Sequence, residues 1–350
     1  YSRLSKGQKL LATYITDNYD KAVFLTAAMA AASLTGCQSG GSSDALTPVT
    51  LNEVAHSIFY APQYAAIELG YFEEEGIDLT LVNGKGADKV MTALISGDAD
   101  IGFMGSESSV YVYQEGSEDY AVNFAQLTQR AGNFLVSRTP EPDFSWERLR
   151  GKTVLGGREN GMPEMIFEFI LKKNGLDPKT DLSIDKSIDF GLTAAAFSGN
   201  DADYTVEFEP HATALEQDQK GYVVASLGVD SGYVPYTAYC AKKSFLSEHP
   251  EAVQSFTNAI QKGLSYVNSH SAEEIASVIS PQFPETDVET IAAIVSRYKD
   301  QDTWKKDTVF EKESFDLLQN ILEEAGALNM RVPYEDLVTT EFSEAAKDVL

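Results

Sequence analysis

The stretch from residue 50 to residue 78, TLNEVAHSIFYAPQYAAIELGYFEEEGID, constrains the fold more than any other part of the sequence. It begins with an apolar, strand-like run that ends at Val54, and a polar and aromatic loop follows. Pro62 then marks the first turn of a predicted helix, where its missing N–H is not needed, and Gly70 ends that helix. Because residues 77–82 form a second strand-like run, the stretch predicts a βαβ unit and therefore an α/β fold.

The loops after these two strands supply the first candidate ligand contacts. Ligands of open α/β sheets bind at the carboxyl ends of the strands, and the loop after the first strand carries His56 and Tyr60. The loop after the second strand carries Gly84 and Lys85, and glycine there would let the backbone approach a ligand closely. Its spacing matches neither the Walker A nor the G-x-G-x-x-G pattern, so the loop does not indicate nucleotide binding.

Two segments of the first βαβ region recur later in the chain. A helix predicted to begin near Pro62 ends before a Gly-Ile-Asp turn, and one that begins near Pro163 ends before a Gly-Leu-Asp turn. Residues 92–101 are likewise echoed by residues 193–204, each with a helix end followed by a short apolar strand. Two echoes in the same order favour two lobes of similar build.

The repeat and the helix breakers predict the limits of the two lobes. We expect residues 48–138 and 238–350 to form the first lobe and residues 139–237 to form the second. The first crossing between the lobes is predicted at residues 139–143, TPEPD, because this stretch is stiff and non-helical. The second is predicted at residues 234–240, and the C-terminal helices are expected to pack on the first lobe.

Charge and missing motifs narrow the function. The 350-residue chain carries 27 Lys and Arg against 53 Asp and Glu, a formal net charge of -26. Such a surface repels nucleic acid and anionic lipid headgroups, so no nucleic-acid partner is expected. The sequence lacks the G-x-S-x-G, H-E-x-x-H, C-x-x-C and EF-hand patterns, and its four histidines form no i, i+4 pair. We therefore predict a binding protein rather than an enzyme, with no catalytic residue, metal or cofactor.

Polar side chains collect at the predicted strand ends that face one cleft, as they do in a binding site. Several have a structural alternative: His56 and Tyr60 would also cap and pack the first loop, and Lys85 would also suit a solvated loop. Glu107 and Glu209 would also complement the positive ends of the helices that follow them. The full candidate set is His56, Tyr60, Gly84, Lys85, Ser106, Glu107, Gln129, Glu159, Asn160, Glu207, Glu209 and Tyr236.

The neighbouring residues in the sequence give additional support to two pairs of candidates, Glu207 with Glu209 and Glu159 with Asn160. Glu207 and Glu209 lie at a predicted strand end with Phe208 between them, so one of the two carboxyls is expected to point into the cleft. Glu159 and Asn160 lie in a glycine-flanked loop at a helix start, where backbone N–H donors are exposed.

The N-terminal region resembles a targeting segment. Residues 22–36, AVFLTAAMAAASLTG, form an apolar run shorter than the roughly 20 residues of a membrane-spanning helix. Cys37 and a Gly/Ser-rich linker follow, so residues 22–47 resemble a signal h-region, a bacterial lipobox and a flexible tether, with Cys37 as the lipidated residue. The alternative is a buried helix ending at Gly36 beside a free cysteine. Residues 1–21 form an atypical extension that lacks a basic n-region next to the apolar run.

Two family resemblances follow from these motifs. Residues 4–26 are similar to the N-terminal helix of RpiR-type regulators, which we interpret as a fusion or start-site artefact without DNA-binding function. Residues 66–78, AIELGYFEEEGID, and 97–102, GDADIG, resemble substrate-binding proteins of ABC transporters, of the NitT/TauT group. That resemblance implies a type II-like periplasmic-binding-protein fold with two α/β lobes, a two-stranded hinge and a small-molecule cleft. It also implies a monomer that works with an ABC permease and ATPase, lipid-anchored outside the cytoplasm of a bacterial cell through Cys37.

The resemblance leaves the ligand open. Pyrimidine binders of the group carry a Trp-Phe-Pro-Asn-type loop, whereas residues 53–56 here are EVAH, and the cysteine-rich motif of related fungal pyrimidine-synthesising enzymes is absent. The aromatic and acidic candidates suit a planar, amine-bearing ligand such as a thiamine precursor, since a bare anion would need more Arg and Lys. Sulfonate, nitrate or riboflavin remains the alternative, as does an enzyme or a signalling receptor on the same fold.

Overall fold

The computed structural model describes residues 45–188 and 191–349. The predicted extension, the signal-like apolar segment and the lipidation site at Cys37 lie outside these residues. Within them, the predicted βαβ unit is confirmed: β1 (Thr47–Glu53) pairs in parallel with β2 (Ile77–Asn83). The helix between them, Ala61–Glu68, has Pro62 in its first turn, as the sequence predicted.

The first sheet has five strands in the order β2-β1-β3-β10-β4. The three parallel strands β2, β1 and β3 come from consecutive βα units, and β10 pairs antiparallel with β3 and β4. β3 and β4 are buried along their whole length, as expected of strands that helices cover on both faces. The strands not yet given are β3 (Ile101–Gly105), β4 (Ala121–Thr128) and β10 (Thr237–Lys242).

The second sheet also has five strands, in the order β7-β6-β8-β5-β9. Here β6 pairs in parallel with β7 and β8, and β5 pairs antiparallel with β8 and β9. The two sheets thus share one plan, three parallel strands and an antiparallel pair, which confirms the similar build that the sequence repeat indicated. The strands are β5 (Asn133–Ser137), β6 (Thr153–Leu155), β7 (Ser183–Asp185), β8 (Tyr204–Phe208) and β9 (Tyr222–Ser226).

Helices cover both sheets, and a helical C-terminal region follows β10. Those between strands of the first sheet are Ala61–Glu68, Tyr71–Glu74, Ala87–Ser96 and Glu107–Gln114. Those of the second lobe are Met162–Lys173, Thr193–Gly199, His211–Gln217 and Leu227–Ser231. The C-terminal helices are Lys243–Glu248, Pro250–Ser269, Ala272–Ile279, Val288–Asp300, Lys312–Ala325, Tyr334–Leu337 and Glu341–Ala346, and short 3-10 turns lie at Ile58–Tyr60, Trp146–Leu149 and Ser280–Gln282. None of the helices in residues 45–188 and 191–349 is both long and apolar enough to cross a membrane.

The chain changes sheet at residues 129–132, not at residues 139–143. β5 follows that change and pairs with β8 and β9 of the second sheet, so residues 133–138 belong to the second lobe. The predicted crossing at residues 139–143 was wrong because the sequence analysis did not recognise β5 as a strand. The chain returns to the first sheet at β10, and Val234 N donates to the carbonyl oxygen of Gln129 at 2.9 Å, which ties the two crossing segments together.

The C-terminal helices contact both lobes, whereas the sequence analysis expected contact with the first lobe alone. Pro250–Ser269 packs on Ala61–Glu68 of the first lobe. Lys312–Ala325, in contrast, packs on Met162–Lys173 of the second lobe, and Lys172 Nζ donates to the carbonyl oxygen of Glu324 at 2.6 Å. The amphipathic pattern predicted these helices but carries no information about which lobe each apolar face would cover.

Candidate functional site

A cavity of about 350 Å³ lies between the two lobes and is the candidate functional site. We call it the interlobe cavity. The first lobe supplies residues 54–57, after β1, together with Gly105 and Glu107 after β3. The second lobe supplies residues 156–158, after β6, and residues 206–211, at the end of β8. These are carboxyl ends of parallel strands in both sheets, the place where α/β folds bind ligands.

Aromatic side chains form part of the wall. Tyr60 is buried and its ring lies edge-on to Phe103, with centroids 4.5 Å apart. Tyr236 is also buried, and its hydroxyl donates to Asn133 Oδ1 at 3.0 Å. Burial raises the pKa of both tyrosines well above the usual value, so both hydroxyls stay protonated. The volume and the aromatic wall suit a small planar molecule.

Glu107 is one of three buried carboxyls in the wall. It is 3% exposed, and its Oε2 has no hydrogen-bond partner among residues 45–188 and 191–349. Burial raises the pKa of this carboxyl to about 7, although its own backbone N–H, Arg158 and the backbone N–H of Met162 all favour the charged form. Both protonation states are therefore accessible near neutral pH.

Glu207, the second buried carboxyl, has hydroxyl partners on both oxygens. Thr205 Oγ1 donates to Oε1 at 2.6 Å, and Thr193 Oγ1 donates to Oε2 at 3.0 Å. Burial raises the pKa of Glu207 to about 7, and the two threonine hydroxyls lower it in part. Among the residues that the structure describes, no cationic side chain offsets the effect of burial on this pKa.

The carboxyl of Glu209, the third buried carboxyl, is bound by two residues that do not line the cavity. Arg297 Nη1 lies 2.5 Å from its Oε1, and the backbone N–H of Thr213 donates to Oε2 at 2.9 Å. Burial raises the pKa of Glu209, and the charge of Arg297 opposes that effect. The carbonyl oxygen of Glu209 accepts a 2.8 Å hydrogen bond from Ser57 Oγ of the first lobe. Glu209 lines the interlobe cavity, but its carboxylate belongs to an internal ion pair.

His56 lines the cavity with both ring nitrogens engaged. Its Nδ1 lies 2.7 Å from Oε1 of the buried Glu53, and its Nε2 lies 2.9 Å from the carbonyl oxygen of Gln282. Burial lowers the pKa of His56, but the hydrogen bond to Glu53 and the bond to Gln282 raise it more, so the net shift is upward. Because both partners are acceptors, this arrangement is complete only when the ring is doubly protonated.

Two cations lie at the mouth of the cavity. Lys85 is exposed, and its backbone has a φ of 57°. Arg158 also lines the cavity and is partly exposed, and its Nη1 lies 3.3 Å from Asp88 Oδ1 of the first lobe. Neither cation is buried in the interior of the site.

Five predicted contacts do not line the cavity. Gly84 packs its backbone against Asn52, where a Cβ would lie 2.6 Å from Oδ1. Ser106 donates to the carbonyl oxygen of Pro235 at 2.7 Å, and Gln129 lies in the first crossing segment with its amide on the carbonyl oxygens of Asp302 and Trp304. Glu159 and Asn160 are exposed in the loop before Met162–Lys173. The structure brings together the other seven: His56, Tyr60, Lys85, Glu107, Glu207, Glu209 and Tyr236.

Sequence reasoning missed several cavity residues. Arg158 directly precedes Glu159 and Asn160, which the sequence predicts as ligand contacts. Thr193 lies in the segment that repeats residues 92–101. The glycine-flanked loop was a usable signal for Arg158, since a single basic residue between glycines at a helix start suits ligand contact.

Within residues 45–188 and 191–349, no three His, Cys, Asp or Glu side chains come together as a metal site requires.

Comparisons with known proteins agree with this architecture. The chain is 42% identical over 301 residues to "Putative binding protein YtlA" of Bacillus subtilis (strain 168), which covers 86% of this chain and 90% of that protein. Among solved structures it is similar to the ligand-binding component of an ABC-type import system from Staphylococcus aureus with zinc bound (TM-score 0.70, 15% identity, 86% of this chain and 99% of that chain). It is also similar to the alkanesulfonate-binding protein SsuA from Xanthomonas axonopodis pv. citri bound to MOPS (TM-score 0.68, 14% identity, 84% and 98%).

At those identities the solved structures show the fold, which is the two-lobed, type II-like periplasmic-binding-protein fold predicted from the sequence. A family model described as NMT1/THI5 like matches residues 58–274. That match spans more than half of the sequence, from the loop after β1 to the C-terminal helices, and includes cavity residues of both lobes, although residues 54–57 of the wall precede it. The chain belongs to the NMT1/THI5-like family.

Proposed function

We propose that this protein is an extracytoplasmic solute receptor that delivers a small, amine-bearing heteroaromatic nutrient, of the thiamine-precursor kind, to an ABC importer. The observation that carries this proposal is the interlobe cavity, whose wall comes from both lobes and contains aromatic rings and buried carboxyls. A ligand that contacts both lobes favours the closed arrangement, which is how a receptor of this fold would signal occupancy. The solved relative described as a component of an ABC-type import system supports the import role.

The charges of the wall favour an amine over an anion. Glu107 and Glu207 are buried, whereas the two cations, Lys85 and Arg158, lie at the mouth and Arg158 already faces Asp88. An anionic ligand in the interior would lie beside the buried acidic groups, and burying an anion beside a carboxylate is costly. An amine or ring N–H would instead provide the donors that carboxyl oxygens accept.

A sulfonate, nitrate or riboflavin ligand is the alternative for the same import role. The solved relative named as an alkanesulfonate-binding protein supports it, and so does Arg158 in the cavity wall. If the ligand carried a sulfonate, its charged group would have to lie at the mouth, between Arg158 and Lys85.

The proposal also includes the partners and the location predicted from the sequence. An ABC permease and ATPase would accept the ligand, and a lipid on Cys37 would hold the monomeric receptor at the outer face of the bacterial cell membrane. The net charge of -26 is compatible with this location, because anionic headgroups would repel the receptor body and leave the tether as the attachment. A sensor that responds to lobe closure without import would share these features, and uptake measured after deletion of the permease separates the two roles.

An enzyme on this fold is a second candidate, favoured by one observation. Burial raises the pKa of both Glu107 and Glu207 to about 7, the range in which a carboxyl acts as a general acid or base. Product formation from a bound ligand that is lost in Glu207→Gln with binding retained would support an enzyme. An unchanged ligand after long incubation with the protein would contradict it.

Native mass spectrometry of the purified protein tests the proposed function directly. We expect a co-purified small molecule, and thermal-shift screening should then show stabilisation by 4-aminopyrimidines rather than by alkanesulfonates or nitrate. Stabilisation by alkanesulfonates alone would establish the alternative ligand class. If no pyrimidine, flavin, sulfonate or nitrate stabilises the protein, the receptor proposal itself fails.

A further inference from the structure

Glu107 differs from the other two buried carboxyls of the interlobe cavity in what its oxygens contact. Each oxygen of Glu207 accepts from a threonine hydroxyl, and Glu209 is held by Arg297 and Thr213. Glu107 alone keeps a buried oxygen, Oε2, without a hydrogen-bond partner in residues 45–188 and 191–349. A buried carboxyl oxygen that the protein leaves unpaired costs free energy, and a ligand donor would remove that cost.

Two of the three groups that favour the charged form of Glu107 come from the opposite lobe, and the third is its own backbone N–H. Glu107 begins the helix Glu107–Gln114 of the first lobe, directly after β3. Arg158 and the backbone N–H of Met162, which both favour its charged form, belong to the second lobe. Met162 begins the helix Met162–Lys173, whose N-terminus carries partial positive charge. The carboxylate therefore has these two sources of stabilisation in its present position while the two lobes are together.

Gly105 has no side chain, and the carboxylate of Glu107 occupies the space that a side chain at this position would fill. A Cβ built on Gly105 would lie 2.1 Å from Oε2 and 2.6 Å from Oε1 of Glu107. Any larger residue at position 105 would force the carboxylate away from the place where the second lobe stabilises it. Gly105 also lines the interlobe cavity, so the same position borders the ligand.

We propose that Glu107 couples recognition of a ligand N–H group to lobe closure, with its free Oε2 as the acceptor and Gly105 as the neighbour that permits this pose. The inference rests on the proposed function and adds to it the residue that selects the ligand. The ligand class is a planar aromatic amine or amidine, whose N–H donates to Oε2. When Glu107 is charged, an analogue with a carbonyl oxygen in place of the amine would set two acceptors against each other and is rejected.

The test compares two probes that differ at one position, a 4-aminopyrimidine and the matching 4-pyrimidinone, by titration calorimetry on the full chain. The pH is set above the pKa of about 7 of Glu107, so that its carboxylate is charged. The wild type should bind the amino probe about ten- to a hundredfold more tightly, as expected for loss of one hydrogen bond to a charged group. Glu107→Gln should reduce this preference to about twofold, and Gly105→Ala should reduce it as well. Glu115→Gln is the control and should keep the preference, because Glu115 is exposed at the other end of the same helix and does not line the cavity.

Small-angle scattering of the same samples provides a readout of closure. The amino probe should shrink the radius of gyration of the wild type and of Glu115→Gln, but not that of Glu107→Gln. Circular dichroism verifies folding, and Glu107→Asp, which withdraws the carboxylate from Met162, replaces Glu107→Gln if the latter does not fold and should also lose the preference. Equal affinities of the wild type for the two probes, or an undiminished preference in Glu107→Gln, would overturn this inference while leaving the receptor role intact. If the wild type binds neither probe but binds an alkanesulfonate, the proposed ligand class fails instead.

Discussion

Arg158 of the second lobe and Asp88 of the first face each other across the mouth of the interlobe cavity, with Nη1 and Oδ1 3.3 Å apart. Asp88 lies in the first turn of the helix Ala87–Ser96, and Arg158 lies in the loop after β6. Both side chains are about half exposed, so water and salt screen the pair and it contributes only about 0.2–1 kcal/mol. Because it joins the lobes, that small contribution acts on closure rather than on folding.

Removing this ion pair should speed ligand release. We expect Asp88→Asn to raise the dissociation rate of a bound aminopyrimidine about two- to fivefold in stopped-flow measurements at low salt, as the loss of an exposed pair predicts. The difference from the wild type should shrink at 1 M salt, where charges are screened beyond about 3 Å. Asp316→Asn is the matched control, because its pair with Lys312 lies within one helix. An equal change in Asp316→Asn, or no dependence on salt, would contradict a role in closure.

Arg297 should matter for stability through the carboxylate it holds. Its partner Glu209 has a side chain with no exposed surface, so Arg297→Gln leaves a buried charge without compensation. We expect a loss of about 3 kcal/mol in the free energy of unfolding, at the low end for a broken buried pair because Arg297 is itself 32% exposed. Urea denaturation measures it.

The double variant Arg297→Gln with Glu209→Gln is the control for this interpretation. It removes the buried charge together with its partner, so it should be more stable than Arg297→Gln alone. A double variant that is less stable by the sum of the two single losses would show that the residues do not act as a pair.

The ion pair between Arg297 and Glu209 shows which parts of the site can be predicted from the sequence and which cannot. Helix starts at prolines and alternating apolar runs are local signals, and they located the βαβ unit and the strand ends that carry Glu207 and Glu209. The partner of the Glu209 carboxyl is distant in the sequence: Arg297, which forms an ion pair with it, lies 88 residues further along the chain. No local pattern contains that information, so the sequence left open which of the two carboxyls faces the cavity.

The misplaced lobe crossing has a similar cause. β5, NFLVS, is short and fully buried, and a short apolar run does not distinguish a strand from other buried structure. The stiff TPEPD stretch was the stronger local signal, but it lies in a loop after β5, within the second lobe. The pairing of β5 with β8 and β9 places β5 in the second sheet. Both partner strands lie more than sixty residues further along the chain, so no local pattern indicates this pairing.

Close packing of two helices in the first lobe gives a prediction on stability. A Cβ on Gly263 would lie 2.2 Å from the carbonyl oxygen of Pro62, where Pro250–Ser269 crosses Ala61–Glu68. Gly263→Ala should therefore lower the free energy of unfolding by about 1–3 kcal/mol, despite the better helix propensity of alanine. Gly199→Ala, at a helical position with no atom within 4 Å of the added Cβ, should be neutral or stabilising. Equal thermal midpoints for the two variants would contradict the packing argument.

Glu207 should make stability depend on pH. Its pKa is raised from 4.5 to about 7 by burial, so the folded state binds a proton that the unfolded state releases. The contribution of this group is fully present below pH 4.5 and is lost as the pH rises through 7. Glu207→Gln should therefore gain up to about 3 kcal/mol relative to the wild type between pH 4 and pH 8.5, measured by urea denaturation.

Glu273 offers a comparison of opposite sign. Hydrogen bonds at the start of Ala272–Ile279, from its own backbone N–H and from Ser271, lower the pKa of this exposed carboxyl. Its contribution is therefore present above the unfolded pKa and is lost as the pH falls, so Glu273→Gln should lose stability relative to the wild type as the pH rises. The same trend in both variants would show that the pH dependence does not come from burial.

The position of His56 between two acceptors predicts its titration. Glu53 and the carbonyl oxygen of Gln282 hold both ring nitrogens, so the doubly protonated ring is favoured and the pKa lies above 6.5. His211 lies at the same cavity, but desolvation lowers its pKa below 6.5. Nitrogen-detected NMR should therefore show His56 titrating at a higher pH than His211, with His56→Gln assigning the signal. A midpoint for His56 below 6.5 would mean that burial outweighs the two hydrogen bonds, and that one of its ring nitrogens faces an acceptor without a proton between them.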